Sequence, residues 1–161
     1  MSALRRGELA ELDVADLRFT GGGVELVIRA SKTDQRRAGA RVFVPNGGAL
    51  CPVRALKRWL VVSGIEEGPL FRRISRADRV LAARLSGQGI ATAIKRAGEA
   101  AGLDPDTLGG HSLRAGFVTE AARRGETAFR IMATTRHRST ESLKGYIRPA
   151  ADGERGAIGL L

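Results

Sequence analysis

The chain is predicted to be α+β and mainly helical, with a small antiparallel sheet of three strands packed against a helical bundle. Two observations carry this. The runs VELVIRA (24–30) and ARVFVP (40–45), rich in β-branched residues, flank the polar loop SKTDQRRAG and so predict a hairpin. Beyond residue 50, apolar residues instead recur at the three- and four-residue intervals of a helix. A length of 161 residues suits one domain with a core of its own.

The elements follow in order. Residues 3–12, ALRRGELAEL, read as a helical pattern with Leu4, Leu9 and Leu12 inward and Arg5 and Arg6 beside them. Residues 13–23 give a first short strand and a glycine turn into the hairpin. Lys32 stands where the first hairpin strand ends, and Arg36 and Arg37 lie in the same loop. Asn46, Gly47 and Gly48 close the sheet. Pro52 then opens a helix, a position where its missing N–H leaves nothing unpaired, and Ala55, Leu56, Trp59 and Leu60 form the inward stripe. Trp59 is read as a core anchor. The run PLFRRI (69–74) predicts a short edge segment, followed by the polar RADR. Leu85, Ile90, Ile94, Ala97 and Ala101 pattern a helix that ends before Gly102, with Lys95 and Arg96 outward.

The stretch 111–148 gathers the scarce reactive side chains: both histidines, the only tyrosine and a dense set of arginines. His111 and Arg114 are three apart, so on a helix they share a face and can reach one ligand. Ser112 is expected to cap that helix, with Leu113, Phe117, Val118, Ala121 and Ala122 as its buried stripe and Gly125 as its end. A second helix is expected from Glu126 to about residue 134, and a third after Ser139, with Ser142 near its start. Tyr146 follows Gly145 near the end of that third helix.

Taken singly, each residue has a plainer reading. The 27 basic residues less the four lysines leave 23 arginines, so a histidine with arginine three places on is not rare here. A lone tyrosine is more often a half-buried core residue with a satisfied hydroxyl. The weight lies on the set and its order.

In that order, LRRGEL, SKTDQ in a hairpin, HSLRAGFVT and TRHRSTESLKGYIR, the chain resembles the catalytic domain of the tyrosine recombinases, the phage-integrase family. The resemblance covers nearly the whole chain, and its two C-terminal motifs are the specific ones. It implies the DNA breaking-rejoining fold over residues 1–161. It also implies roles. Arg5 and Arg114 match the two family arginines that grip the scissile phosphate, and Lys32 matches the hairpin lysine that protonates the departing 5′ oxygen. His111 matches the first residue of the His-x-x-Arg box, His137 the later position that hydrogen-bonds the phosphate, and Tyr146 the nucleophile. Glu8 falls on an acidic position beside the first arginine, where it would support that side chain.

The chemistry explains why these residue types are needed. A phosphodiester gains charge on its equatorial oxygens in the transition state, and fixed guanidinium forks aimed there supply the main stabilisation. The nucleophile is a phenol of pKa about 10, which needs a cationic surrounding or a base before it attacks. A 3′-phosphotyrosyl link conserves the bond energy, so the reaction as implied calls for no ATP and no metal. The sequence holds neither a metal-ligand cluster nor a Walker-type glycine loop, and no cofactor is expected.

The composition points to a polyanion. Formal charge is 27 minus 17, or +10, and the isoelectric point is about 11.2. With aromatics at 4%, stacking on bases is not the expected mode, and the partner is expected to be the phosphate backbone of double-stranded DNA. Arg36, Arg37, Arg79, Arg84, Arg96, Arg136 and Arg138 are the candidate backbone contacts, although a solvated face is the commoner reading for any one. Arg136 stands where the family more often has glycine. The single Cys51 can form no internal disulfide, which fits a reducing cytoplasm, and there is no signal peptide or transmembrane run; the resemblance further implies a bacterial, nucleoid-associated protein.

The expected function is site-specific recombination by a homo-oligomer, a tetramer on DNA, of the kind that moves mobile elements. Two other readings stand beside it: a nick-and-reseal activity like that of type IB topoisomerases, and a DNA-binding remnant without catalysis. Family members ordinarily carry a DNA-clamping domain and a first catalytic helix ahead of the first arginine, and both are expected to be missing here.

Overall fold

The structure is a computed structural model that describes residues 3–29, 39–137, 139 and 141. It divides into two compact units, Met1–Ser112 and Leu113–Leu161.

The first unit is built around an antiparallel sheet in the order β1 (Leu17–Thr20), β2 (Gly23–Ile28), β3 (Ala40–Pro45). Its register places Val24 opposite Val44 and Leu26 opposite Val42. The two-residue period of a strand therefore puts Val24, Leu26, Ile28, Val42 and Val44 on one face, and all five are buried. Leu4 and Leu12, which flank helix α1 (Arg6–Glu11), close over that face together with Val53 of α2 (Pro52–Ser63). Asn46 ties the end of β3 back to the β1–β2 turn, its amide donating to Gly22 O at 2.8 Å and its side chain to Gly21 O at 2.9 Å. Trp59 packs against the same core, and its indole N–H donates to Leu70 O at 2.9 Å.

The hairpin, the strand before it and the proline-led helix thus form as predicted, but three details differ. Residues 72–84 hold a second antiparallel sheet, β4 (Arg72–Ile74) with β5 (Val80–Arg84), where the sequence predicted only an edge segment. Its turn is closed by Ser75, which donates through its amide to Arg79 O and accepts from Arg79 N at its hydroxyl. On α2 it is Val53, not Ala55, that is buried. On α3 (Gly87–Ala100) the buried residues are Ile90, Ala91 and Gly98, while Ala97 and Ala101 are exposed. Gly98 escapes a pattern of apolar side chains because its use is to have none: a Cβ there would collide with Leu108 Cδ1.

Arg84 was expected on the DNA backbone. In the structure it ties the unit together: Nη1 donates to Ala10 O at 2.9 Å and Leu12 O at 3.2 Å, and Nη2 meets Asp13 Oδ1 at 2.5 Å. Asp13 also pairs with Arg29 Nη1 at 3.0 Å, and Arg29 Nε reaches Asp16 Oδ1 at 3.0 Å. The Arg84 hydrogen bond holds the Asp13 carboxyl below its ordinary 3.8, against burial, with Arg29 adding to the effect. A lowered carboxyl stabilises the fold above its unfolded pKa and ceases to do so as pH falls through the lowered value. Asp13→Ala is therefore expected to lower stability by about 1.5–3 kcal/mol at neutral pH, the range for hydrogen bonds to charged groups. The difference from wild type should shrink in urea titrations carried out well below pH 4. An unchanged urea midpoint at neutral pH would show the cluster to be decorative.

The second unit comprises α4 (Ser112–Arg123), which begins at the boundary residue, and α5 (Ala128–Thr135). Val118 and Ile131 are its buried apolar centre, flanked by Phe117, Ala121, Ala122, Ala128 and Met132. Leu113 was expected on this stripe but is 56% exposed; the buried positions are Arg114 and Val118, four apart. Ser112 does not cap α4 either. It is the first helical residue, and its hydroxyl accepts from the upstream Gly109 N–H at 2.7 Å. The second predicted helix is present, two residues shorter at its start, with Thr127 as its cap.

Candidate active site

In the first unit, Arg5 precedes α1 with extended backbone and so is the helix cap, not part of the helix. Glu8, one turn on, is buried and holds Arg5 twice: Oε2 accepts from the Arg5 amide at 2.7 Å and Oε1 from Nη1 at 2.8 Å. One carboxylate thus sets both the main chain and the guanidinium of Arg5, whose side chain stays 39% exposed. Arg6 lies along Gly110, the residue before His111. A Cβ on Gly110 would come within 2.5 Å of Arg6 Cδ, so a larger residue there would require the Arg6 side chain to shift. His111 itself is exposed.

In the second unit, Arg114 is buried, only 3% exposed, and donates through Nη2 to the carbonyl of Thr135, the last residue of α5. Thr135 is completely buried. Its hydroxyl lies 2.7 Å from Ile131 O and 2.7 Å from His137 Nδ1. Arg114 and His137, distant in sequence, are thereby joined through a single residue. Between them Arg136 ends α5 in the left-handed conformation, φ 57°, and its amide donates to Met132 O at 2.6 Å. That conformation costs a residue with a Cβ about 1–2 kcal/mol and is the physical reason glycine is commoner at such helix ends.

The other expected residues fall as follows. Arg79 and Arg96 are exposed, Arg79 beside the β4–β5 turn and Arg96 on α3, and Arg84 is held in the Asp13 cluster. Lys32, Arg36, Arg37, Arg138 and Tyr146 lie outside the described residues. Among the described residues there is no group of three or more histidine, cysteine, aspartate or glutamate side chains placed to hold a metal ion, and no helix long and apolar enough to cross a membrane.

Residues 1–152 match the phage integrase family. The chain belongs to that family. An integrase/recombinase, a xerD homolog of Selenomonas ruminantium, is 40% identical over 147 residues, which are 90% of this chain and 43% of the relative. Among solved structures, XerA recombinase superposes with a TM-score of 0.65 at 23% identity, over 91% of this chain and 48% of that one. XerH site-specific recombinase bound to its difH substrate gives 0.65 at 18% identity, over 91% and 40%. At these identities the structural likeness speaks for the fold, and it bears out the α+β class read from the sequence. This phage integrase chain spans about half the length, or less, of the proteins it resembles.

Thr135 was missed in the sequence. It stands beside Arg136 and His137 in TTRH, but its role depends on a helix end delivering its carbonyl and hydroxyl to two partners at once. Arg6 was seen only as a neighbour of Arg5, and the signal that marked it out, a glycine two residues before Ser112, has meaning only once the turn is known.

Proposed function

We propose that this chain is the catalytic domain of a tyrosine-type site-specific recombinase acting on double-stranded DNA. The observation that carries the reading is the buried Arg114 guanidinium fastened to the same residue as His137, in a chain of the phage integrase family. A buried arginine held rigidly is suited to grip an anion whose charge grows during reaction.

In this reading Arg5 and Arg114 hold the non-bridging oxygens of the scissile phosphate, and His111 and His137 hydrogen-bond them. The Tyr146 phenol passes its proton to a base in the site as its oxygen attacks phosphorus, the bond to the 5′ oxygen breaks, and Lys32 supplies the proton that the 5′ oxygen takes up. The product is a 3′-phosphotyrosyl link with a free 5′ hydroxyl, and the reverse attack by another 5′ hydroxyl completes strand exchange. Arg36, Arg37, Arg79, Arg96, Arg136 and Arg138 are the proposed backbone contacts, and a homotetramer on DNA is the proposed assembly. Support comes from the charge of +10 and from the relatives, one of which is a recombinase seen with its DNA substrate.

The test is incubation with a pool of nicked duplexes of randomised sequence in the presence of a chelator, followed by a denaturing gel. A covalent protein–DNA band is expected, and non-covalent binding should weaken steeply as salt is raised. Absence of both the band and the salt dependence would sink the reading. Lys32→Ala should lose the band on ordinary DNA and regain it on a substrate with a bridging sulfur at the 5′ position, which leaves without a proton; no recovery would count against Lys32 as the acid.

A further inference from the structure

We infer that Thr135 is a positioning residue that fixes the tautomer of His137, so that the neutral ring carries its proton on Nδ1 and presents a lone pair at Nε2. The geometry leaves little choice. A hydroxyl has one proton and two lone pairs, whereas a backbone carbonyl can only accept. At 2.7 Å from Ile131 O, the Thr135 proton is directed to that carbonyl. The contact from Thr135 Oγ1 to His137 Nδ1, also 2.7 Å, then needs its proton from the ring. Complete burial of Thr135 keeps water away from its hydroxyl.

The same residue holds Arg114 through its carbonyl, so the inference deepens the proposed function and rests on it for its catalytic consequence. A histidine locked in this way cannot donate from Nε2 while neutral. It can take a proton at Nε2, and only the imidazolium so formed can donate a hydrogen bond to a phosphate oxygen. Thr135 thereby decides in which protonation state His137 serves the reaction, and it does so without touching DNA.

The test uses the full chain labelled with 15N-histidine. With two histidines in the sequence, a His111→Gln variant assigns the ring of His137 in long-range 1H–15N spectra. At a pH where the ring is neutral, the wild type is expected to show the Nδ1–H pattern. Thr135→Val, nearly the same shape without the hydroxyl, should move the ring to the Nε2–H form, and Thr135→Ser should restore it. In single-turnover cleavage of a nicked duplex, Thr135→Val should be about 10- to 100-fold slower, the range lost when an orienting partner of a histidine is removed. DNA affinity should be unchanged, and Thr135→Ser should recover most of the rate.

An Nε2–H pattern in the wild type overturns the inference without any variant. So does a Thr135→Val protein with unaltered tautomer and rate. If the wild type forms no covalent adduct while its tautomer responds to Thr135 as expected, the fault lies with the proposed reaction and the positioning role stands.

Discussion

Arg114→Ala is expected to slow covalent cleavage by on the order of 10³–10⁵, the span seen when an arginine on a transferring phosphoryl group is removed. The side chain is 3% exposed and bonded to the Thr135 carbonyl, so its fork is held in place before substrate arrives and loses little freedom on binding. Arg114→Lys should recover little, because an ammonium is a point charge and cannot span two oxygens with parallel hydrogen bonds. Emptying a buried position also destabilises the helix pair. Cleavage rates should therefore be compared under conditions where thermal melts show both variants folded. A lysine variant with nearly full rate would mean that only charge, not the planar fork, is needed.

The second large effect is expected from Tyr146→Phe. Loss of one oxygen removes the nucleophile, so no adduct should form at any incubation time, while DNA binding should change by less than about twofold because the phenol is one polar contact among many phosphate contacts. Persistent adduct in this variant would move the nucleophile elsewhere in the chain.

These two residues illustrate what the sequence could and could not say. His111, Arg114, His137 and Tyr146 stand out because reactive types are scarce and their spacing is informative, and the hairpin stands out because its strands alternate against a long polar loop. The β4–β5 sheet does not. Its strands are three and five residues long, and VLAAR has no alternation to separate it from the start of a helix. Arg84 shows a different limit: an arginine in an arginine-rich chain looks like solvent-facing charge until Asp13 and the carbonyls of Ala10 and Leu12 are seen around it. Leu113 fails for a third reason. Helical periodicity predicts which residues share a face but not which way that face is turned, and here the buried face is centred on Arg114 and Val118, a charge where an apolar residue would be expected. That buried charge, costly to any fold without a purpose for it, is itself a sign of a site.

The most direct measurement is to identify the amino acid that becomes joined to DNA. The gel-purified adduct from the nicked-duplex reaction would be digested with protease, its DNA trimmed with nuclease, and the modified peptide sequenced by mass spectrometry. The expected result is a nucleotide mass on the phenolic oxygen of Tyr146, linked through the 3′ phosphate. A nucleotide on any other residue, or a 5′ linkage, would contradict the recombinase chemistry assigned to this chain.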